Sequence, residues 1–447
     1  MKVYRLRSID KLLNEEYPEL MDQLIYCAPS SDFNDPLEGQ LELLFQGDSV
    51  VWENLFRHFL LCMTHQVEVA TLHRAEDPED SKKFFNRDFP IFISESDLPT
   101  DSYRNLFNSI KERFFAWDEI GALIEYLGNR KTPLYAEQIL AFFSAIALAA
   151  LESILHCHEE AGLQPQDILK VLQDNPHRIK IPDFRSAAEE DINILMEFSA
   201  KIIEQNNIIS YCTLGEKAGL LTWGYFFSKF PHDYLAHLQE LVYPNWYAAS
   251  FMDDFPSNMS LWSHYADGHK GICLVFHPEQ LKPLEKVIYS NEMMQVDFFK
   301  HLWRQSGFIV AKEWYTNKDG QQSVLLSEIP PTREAHSEYW GKYAKLKTTK
   351  REDWRTENEC RLLLDDSFYD YSDASNRVLK YDFRALEGIV FGIRTPIEVK
   401  AEMIKIIHAK CKETDRKNFS FYQARFDKKK HTVIYDELSL LSFRPHT

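Results

Sequence analysis

The segment Ser257–Phe276 contains the densest group of side chains that could take part in chemistry. It reads SNMSLWSHYADGHKGICLVF, with two histidines, His264 and His269, on either side of a glycine and just before an apolar run. Imidazoles titrate near neutral pH, so such a pair can bind a phosphate group or polarise a leaving group. The segment therefore predicts a binding or catalytic site.

The same segment also has a purely structural interpretation. Ser257 or Asn258 can cap a short helix on which Trp262 and Tyr265 pack into the core, while the histidines hydrogen-bond to the backbone. The sequence leaves both interpretations open. The residues of this segment that remain candidates for a site are Trp262, His264, Tyr265, His269 and Lys270.

A second group of charged residues leads into the apolar run Cys360–Leu364. If this run is a strand, Glu357, Glu359 and Arg361 alternate onto one of its faces. Carboxylates held by a rigid strand can point into a cleft. The alternative is a row of surface ion pairs, which would contribute little to stability. A basic run upstream could supply local positive potential, and it consists of Lys342, Lys345, Lys347, Lys350 and Arg351.

The sequence Phe33–Glu38 also admits two interpretations. Asp35 can cap a helix that begins at Pro36, and Glu38 then stands where a capping box requires an acidic residue. Alternatively, Asn34 and Asp35 face a cleft and orient a hydroxyl group of a ligand. Asn34 and Asp35 are therefore candidate substrate-binding residues.

The amino-terminal run Val3–Arg7 alternates in the manner of a short strand. A basic residue in a first strand can contact the phosphate of a ligand. Tyr4 and Arg5 are therefore further candidates for substrate binding.

The composition limits the classes of protein. Of the 447 residues, 45% are hydrophobic and 27% are charged, as in an ordinary globular protein. The formal net charge of −17 disfavours sequence-blind binding to nucleic acid or to an anionic membrane, because the overall field repels phosphate. The seven cysteines form no C-x-x-C pair and the amino terminus has no apolar signal-like core, which predicts a reduced, soluble, cytoplasmic protein without membrane contact.

Motifs for metals and nucleotides are weak or missing from the sequence. His156-Cys157-His158-Glu159-Glu160 does not match H-E-x-x-H, and no distant partner is indicated, so no metal site is expected there. The sequence contains no G-x-x-x-x-G-K-[ST], G-x-G-x-x-G or G-x-S-x-G pattern that would predict a phosphate-binding loop or a hydrolase elbow.

The pattern of apolar residues predicts an α+β fold with a mixed or antiparallel β core and a long inserted α-helical domain. Residues 1–47 and 207–447 form the predicted α+β core domain, and residues 48–206 form the predicted helical insert. Apolar residues recur at helical spacing in Leu106–Leu127, Ala136–Cys157 and Ala187–Ile203. The strand-like runs of the core are Ile208–Cys212, Trp246–Phe251, Ile272–Phe276, Cys360–Leu364, Val378–Phe383, Ile389–Phe391, Phe419–Phe426 and Thr432–Tyr435.

These groups, in this order, resemble a prokaryotic family catalogued as domain of unknown function 2971. The resemblance rests on Phe33–Glu38, Ser250-Phe251, Leu261–Ala266, His269–Cys273, Trp354, Glu357, Glu359, Arg361 and Ile389–Gly392. It covers roughly residues 1–47 and 245–440. The chain departs from the family by Leu37, where the family is usually aromatic, and by its long insert.

The order of the groups predicts an NAD-consuming enzyme with an ADP-ribosyltransferase-like core. NAD would be the substrate, and no metal would be needed, because a carboxylate can stabilise the oxocarbenium charge as the N-glycosidic bond breaks. By analogy with that enzyme class, Glu359 would stabilise this charge and Glu357 would orient the acceptor. Arg5, His264 and His269 would contact phosphate or nicotinamide, and Arg361 would also bind substrate.

Two other classes of function stay open. One is a metal-dependent nuclease or phosphodiesterase with a divalent ion bound among Asp35, Glu38, His264, His269 and Glu359. The other is a non-catalytic sensor or adaptor whose helical insert binds a partner protein. Either enzyme could act on a protein or nucleic-acid acceptor, and either would suit a toxin or an anti-phage defence effector.

Overall fold

A computed structural model describes residues 2–13, 17–76, 89–163, 188–214, 225–226, 229–305, 313–328 and 333–441 of the chain. The density of internal contacts divides the chain into two compact units. Unit 1 consists of Met1–Gln40, Pro244–Met293 and Gly341–Thr447, and unit 2 consists of Leu41–Tyr243 and Met294–Trp340.

Unit 2 is larger than the predicted helical insert of residues 48–206. It begins at Leu41, and it also includes residues 207–243 and Met294–Trp340. The segment Gln295–Asp297 pairs in parallel with Glu42–Phe45, so the contacts assign both strands to unit 2. The parts of the predicted insert at residues 77–88 and 164–187 lie outside the described residues.

The strands are β1 (Val3–Arg7), β2 (Leu24–Tyr26), β3 (Ala28–Pro29), β4 (Glu42–Phe45), β5 (Leu134–Tyr135), β6 (Trp246–Met252), β7 (Ile272–Phe276), β8 (Glu285–Lys286), β9 (Ile288–Tyr289), β10 (Gln295–Asp297), β11 (Thr349–Lys350), β12 (Glu359–Asp365), β13 (Val378–Lys380), β14 (Leu386–Phe391), β15 (Ser420–Asp427) and β16 (Thr432–Glu437). The helices are α1 (Ile9–Leu13), α2 (Ser49–Glu76), α3 (Asp101–Phe115), α4 (Asp118–Gly128), α5 (Ala136–Glu160), α6 (Glu189–Leu214), α7 (Phe230–His237), α8 (Met259–Tyr265), α9 (Phe298–Gln305), α10 (Leu325–Glu328), α11 (Arg333–Thr348) and α12 (Ile397–Glu413).

Unit 1 is built around a nine-stranded sheet. Its order is β16-β15-β14-β7-β1-β6-β12-β8, and β3 adds to β6 beside this path. The β14–β15 pair is parallel, and the other pairs in the sheet are antiparallel. The predicted α+β fold with a mixed, largely antiparallel β core is therefore confirmed.

The two faces of this sheet are covered differently. A large apolar cluster on one face combines strand residues such as Phe251, Leu274 and Leu362 with Met403 and Ile407 of α12. A smaller cluster on the other face includes Tyr4, Leu6, Trp262 and Ala266. Alternation along each strand therefore sends neighbouring residues into different clusters, as expected for a sheet covered on both faces.

Unit 2 is mainly helical and contains a three-stranded sheet in the order β10-β4-β5. The predicted helix Ala136–Cys157 corresponds to α5. The predicted helix Leu106–Leu127 is two helices, α3 and α4, which are separated at Ala116 and Trp117. The predicted strand Ile208–Cys212 is wrong, because these residues form the last turns of α6. Their β-branched side chains favour a strand locally, but they continue a long helix.

Helix α5 is the one helix among the described residues that is long and apolar enough to cross a membrane. In its most apolar window, 83% of the residues are buried inside the protein. Such burial is that of a core helix in a soluble protein, because a membrane-spanning helix would present its apolar surface to lipid.

The core of unit 2 contains a buried histidine. One ring nitrogen of His58 lies 2.8 Å from the hydroxyl of Tyr234, and the other lies 3.0 Å from the carbonyl oxygen of Ile91. Burial lowers the pKa of His58 to about 3, although the bond to Ile91 opposes this change. His58 is therefore neutral at physiological pH. It lines a cavity of about 390 Å³ together with Arg57, Phe92 and Trp314.

Candidate functional site

The sheet of unit 1 opens between two of its central strands. Strand β1 pairs with β6 at a single position, Tyr4 with Met252, whereas β3 pairs with β6 at Ala248 and Tyr247. Among the described strands, residues 249–251 of β6 have partners on β12 alone. The two strands therefore diverge, and a cavity of about 620 Å³ occupies the opening.

Three groups of residues that are distant in the sequence converge on this cavity. Its lining comprises Arg5, Leu6, Arg7, Ser8, Asp10, Lys11, Tyr17, Glu19, Tyr26, Ala28, Asp32, Phe33, Asn34, Glu38, Ala248, Ala249, Ser250, His264, Tyr265, Asp267, Lys350 and Ala374. Of the residues predicted for the site, Arg5, Asn34, His264 and Tyr265 line the cavity directly. The other predicted residues lie behind its wall or outside it.

Lys350 is the centre of a buried charged cluster at the cavity wall. Its ammonium group donates to Glu357 Oε2 at 2.7 Å and to Glu359 Oε2 at 2.9 Å. It also lies 3.4 Å from Glu38 Oε2. Strand β11, which pairs in parallel with β9, carries Lys350 to this position.

Arg361 is the second cation of the cluster. Its Nε donates to Glu359 Oε1 at 2.8 Å, and its Nη2 donates to Glu38 Oε1. Its Nη1 donates to the backbone carbonyl of Lys347 at 2.8 Å. The five side chains of the cluster are only 0 to 7% exposed, and they are Glu38, Lys350, Glu357, Glu359 and Arg361. We refer to them as the acid–base cluster.

The pKa values in the acid–base cluster diverge because the carboxylates have different neighbours. Burial alone would raise the pKa of Glu359, but attraction from Arg361 and Lys350 outweighs it and lowers this pKa to about 2. Burial raises the pKa of Glu38 to about 7 despite attraction from the same two cations. Burial likewise raises the pKa of Glu357. Burial disfavours the charged form of Lys350, but attraction to Glu359, Glu38 and Glu357 prevails and raises its pKa.

Two side chains connect the cluster to the cavity. The hydroxyl of Tyr265 donates to Glu357 Oε1 at 2.6 Å, and it accepts a hydrogen bond from Asn34. Ser250, an exposed residue of β6, donates a side-chain hydrogen bond to Glu359. Tyr265 and Ser250 both line the cavity, so a bound ligand would contact Glu357 and Glu359 through these hydroxyl groups.

The opposite wall of the cavity is formed by β1 and α1 and is rich in cations. Arg5 is buried there, and its Nη2 donates to the carbonyl oxygen of Tyr26 at 3.3 Å. Burial, followed by repulsion from Arg7, lowers the pKa of Arg5 to about 10. The same two causes lower the pKa of Lys11. Arg7 itself is paired with Glu19. The cationic charge of Arg5 is therefore incompletely compensated, which favours an anionic ligand.

Glu38 is held by a turn and does not lie in the predicted helix. The backbone N–H of Leu37 donates to Asp35 Oδ1 at 3.0 Å, and that of Glu38 donates to the carbonyl of Asp35 at 3.1 Å. Gly39 follows with a φ of +76°, where a Cβ atom would come within 2.9 Å of the Trp246 ring. Asp35 therefore caps a turn, as such residues commonly do. The carboxylate of Glu38 contacts Arg361, so it does not form the predicted capping box.

Tyr4, Trp262 and Asp35 are not cavity residues, contrary to the prediction that they bind substrate. Tyr4 and Trp262 pack in the smaller apolar cluster of the sheet, and the Trp262 indole donates to the carbonyl of Pro256 at 2.7 Å. Strand alternation explains the position of Tyr4, because Arg5 and Arg7 take the opposite face. Asp35 is buried beneath its own turn.

His269 and Lys270 also lie outside the cavity lining. His269 has a φ of +73°, and its backbone N–H donates to the carbonyl of Trp262. Its carbonyl oxygen accepts from the backbone of Arg394. Lys270 is exposed and lies 3.9 Å from Asp267. These two side chains therefore do not belong to the cavity lining that His264 and Tyr265 share.

Glu357, Glu359 and Arg361 are close to the cavity but do not line it. The predicted alternation is observed for Glu359 and Arg361 on β12, since Cys360 and Leu362 belong to the large apolar cluster and Arg361 does not, but Glu357 lies in the 3₁₀ turn before the strand. Instead of pointing freely into the cleft, Glu359 is bound on both sides by cations. Ser250 donates a hydrogen bond to Glu359, and Tyr265 donates one to Glu357, so these two hydroxyl groups connect the carboxylates to the cavity.

The predicted metal-ligand set is not assembled. Within the described residues, no group of three or more His, Cys, Asp or Glu side chains is arranged to hold a metal ion. His269 lies outside the cavity lining, and the carboxylates of Glu38 and Glu359 are already bound by Lys350 and Arg361. Two cations thus take the place that a divalent ion would require.

Two cavity residues, Lys350 and Ser250, were not assigned to the site from the sequence. Lys350 was one member of a basic run, and Ser250 entered only through the family resemblance. Glu38 was assigned to a helix cap and, in the nuclease alternative, to a metal-ligand set. Glu38 and Arg361 are 323 positions apart in the sequence. Spacing along the sequence cannot reveal a contact between residues so far apart. Two carboxylates and one arginine on a strand face do indicate, however, that another cation is needed to neutralise them.

The family model described as "Protein of unknown function (DUF2971)" matches residues 261–362. The match begins in α8 and ends within β12, and it contains His264, Tyr265, Lys350 and Glu359. The resemblance expected from the sequence is thereby confirmed over this segment. No curated protein and no solved structure matches the chain.

Proposed function

Because residues 261–362 carry the sequence of DUF2971, a family whose description names no activity, we propose a function from the chemistry of the cavity in unit 1. The proposal is that unit 1 binds NAD and breaks its N-glycosidic bond, as an ADP-ribosyltransferase-like enzyme does. The observation that supports it is the distribution of charge in the cavity. Arg5 on one wall has no full counter-charge, and the acid–base cluster on the other wall contains more carboxylates than cations.

The cationic wall suits the diphosphate of a dinucleotide. Burial, followed by repulsion from Arg7, lowers the pKa of Arg5 to about 10. An anion bound at Arg5 would relieve both the burial penalty and the repulsion from Arg7. The aromatic rings of Tyr26 and Phe33 line the same cavity and offer apolar surface to a base. These features support a nucleotide as the ligand.

The acidic wall suits the charge that develops during the reaction. As the bond between ribose C1′ and the nicotinamide nitrogen breaks, its electron pair leaves with neutral nicotinamide and the ribose acquires oxocarbenium charge. The acid–base cluster contains three carboxylates and two cations, so its fully ionised form has one excess negative charge. Fixed negative charge beside the ribose would stabilise that transition state.

The other residues of the cavity receive supporting roles in this proposal. His264 is exposed at the cavity and would contact phosphate or nicotinamide. Tyr265, which bonds to Glu357, would orient the acceptor. The acceptor is a protein, a nucleic acid or water, and it forms the new bond to C1′ while losing a proton.

The cellular setting belongs to the same proposal. The seven cysteines are free thiols, which suits a reducing cytoplasm. Helix α6 of unit 2 exposes several apolar side chains, including Ile194, Phe198 and Ile208, and such a surface suits a partner protein. A toxin or anti-phage effector would combine these two properties with NAD consumption.

The test is release of nicotinamide from NAD by the purified full chain, with and without a chelator. We expect release that persists in chelator and that falls on the order of 10²-fold in His264→Ala. His277→Ala is the matched control, because this histidine is partly exposed in unit 1 and lies outside the cavity lining. It should leave the rate unchanged.

Three outcomes would contradict the proposal. Failure of the folded protein to bind NAD or to release nicotinamide would reject it. Chelator-sensitive cleavage of RNA or DNA would favour the nuclease alternative instead. Binding of a partner protein with neither activity would favour a non-catalytic adaptor.

A further inference from the structure

The acid–base cluster holds more carboxylates than cations. Glu38, Glu357 and Glu359 surround Lys350, and Arg361 contacts Glu38 and Glu359. An unneutralised charge is costly when it is buried, so such a cluster tends to take up a proton or to bind a cation. One of the three carboxyl groups is therefore the site at which this neutralisation occurs.

Glu359 is the least suited of the three to hold that proton. Like those of Glu38, its two carboxylate oxygens contact Arg361 and Lys350, but Glu359 Oε2 lies 2.9 Å from Lys350 Nζ, against 3.4 Å for Glu38 Oε2. Ser250 donates to it as well. Protonation would weaken three interactions at once. Glu359 thus remains ionised, in agreement with its lowered pKa.

Glu357 is also bound by two donors. The hydroxyl of Tyr265 donates to Oε1 at 2.6 Å, and Lys350 donates to Oε2 at 2.7 Å. Glu357 does not line the cavity, so Tyr265 stands between it and a ligand. A proton on Glu357 could reach a ligand only through that hydroxyl group.

Glu38 combines burial with direct access to the cavity. Several charged and titratable groups face it, with Arg361 and Glu359 on β12 and Lys350 on β11. Glu357 lies on the other side of Lys350, and Tyr265 lines the same cavity. Burial and repulsion from Glu359 oppose ionisation of Glu38, while the two cations favour it, and its pKa is raised to about 7.

We propose that Glu38, and not Glu359, is the carboxyl group that exchanges a proton with the cavity. The inference rests on the proposed function for its role in the reaction. There, the ionised Glu38 accepts the proton that the acceptor loses as its lone pair bonds to ribose C1′, while the glycosidic electron pair leaves with nicotinamide. Glu38 is the catalytic residue, and Glu359 is a positioning residue that holds Lys350 and Arg361.

The proton assignment can be tested without NAD, by infrared difference spectroscopy of the full chain between about pH 5.5 and pH 8.5. Burial also raises the pKa of Glu68 in unit 2 to about 7, so the spectra are recorded in a Glu68→Gln background. In that background we expect the carbonyl band of one uncharged carboxyl group to disappear as the pH rises through about 7. Glu38→Gln should abolish this step. Glu402→Gln is the matched control, because Glu402 is exposed on α12, and it should retain the step.

Glu359→Gln provides the sharper comparison. It removes a repelling carboxylate but leaves Glu38 in place, so the step should persist and move to lower pH. In the Glu68→Gln background, a step near pH 7 that survives Glu38→Gln would overturn the assignment, as would the absence of any such step while Glu38 is intact.

The pH dependence of nicotinamide release tests the role in the reaction. We expect the rate to rise with pH through about 7, because Glu38 must be ionised to accept a proton. Glu38→Gln should lower the rate on the order of 10²-fold and remove the pH dependence, while Glu359→Gln should shift the inflection downward. A Glu38→Gln enzyme with the unchanged pH profile would overturn the role, even if NAD cleavage itself is confirmed.

Discussion

The two units of the molecule treat buried polar groups in different ways. In unit 2, His58 is bonded to a tyrosine hydroxyl and a backbone carbonyl, and burial lowers its pKa to about 3, so it is neutral. In unit 1, five ionisable side chains are equally buried, yet Lys350, Glu359 and Arg361 keep their charges because they contact one another.

The difference shows which buried groups can take part in chemistry. An ionisable group without a charged partner loses its charge on burial, whereas a cluster retains charge and can be left with an imbalance. The cavity of unit 2 is lined by a neutral imidazole and by charged side chains that are partly exposed to water, such as the ion pair of Arg57 and Glu95. The cavity of unit 1 is lined by Glu38 and Lys350 of an unbalanced cluster, and it is therefore the better candidate for proton transfer.

The largest effect should follow the loss of a cation from the cluster. Arg361→Met would leave Glu38 and Glu359 with Lys350 alone, so three carboxylates would face one positive charge. We expect the free energy of unfolding of unit 1 to fall by about 3–5 kcal/mol. Hydrogen exchange of β6 and β12, followed by mass spectrometry, would measure this loss.

Arg384→Met is the control for this substitution. Its ion pair with Asp382 is exposed, and such pairs contribute little to stability. Equal effects of the two substitutions would mean that the charges of the cluster are not essential to the fold, and the contrast between the units would disappear.

An intermediate effect is expected for Glu359→Gln. The pKa of Glu359 in the folded protein, about 2, lies below its usual 4.5, so its ionised form stabilises the fold fully above pH 4.5. This contribution is lost as the pH falls from 4.5 toward 2. The variant should therefore be less stable by about 1.5–3 kcal/mol near neutral pH.

Thermal unfolding at a series of pH values would test this expectation. The difference in melting temperature between the two proteins should shrink below pH 4.5 and approach zero near pH 2. A difference that stays constant across this range would show that the folded-state pKa of Glu359 is not depressed.

The smallest effect is expected in unit 2. His58→Gln keeps a neutral polar side chain and should cost about 1 kcal/mol near neutral pH. In the unmodified protein the unfolded chain binds a proton at His58 below its usual pKa of 6.5, but the folded chain does not until about pH 3. The contribution of His58 to the free energy of unfolding is therefore at its maximum above pH 6.5 and declines as the pH falls.

Hydrogen exchange of α2 and α7 between about pH 4 and pH 7 would reveal this decline, and the variant should lack it. The variant, about 1 kcal/mol less stable near neutral pH, should reach the stability of the unmodified protein by about pH 6 and exceed it at lower pH. An imidazole of His58 that titrates near 6.5 in the folded protein would contradict the comparison.

Much of the sheet could be predicted because strand signals are local. Alternation and apolar runs identified β1, β6, β7 and β12, and the alternation of Glu359, Cys360 and Arg361 correctly separated the charged face from the apolar one. The strand predicted at Ile208–Cys212 failed, because a β-branched stretch carries no local information about the long helix to which it belongs.

The cavity was less accessible to prediction. The position of Lys350 depends on the pairing of β11 with β9, about which the basic run gives no information. Tyr4 and Arg5 are adjacent in sequence, yet the alternation of β1 places them in different environments. The assignment of both residues to one ligand surface ignored that alternation. The roles of Arg5, His264, Glu357 and Glu359 in the proposed reaction remain predictions.

The contact between Glu38 and Arg361 also has a consequence for biosynthesis. Glu38 leaves the ribosome 323 residues before its partner, and all of unit 2 is translated in the interval. Domains generally fold in order of their appearance, so the helical unit can become compact before β12 is available to pair with β6. The site would then be completed only once β12 has been translated, which would keep the proposed activity from appearing in the nascent chain before that point.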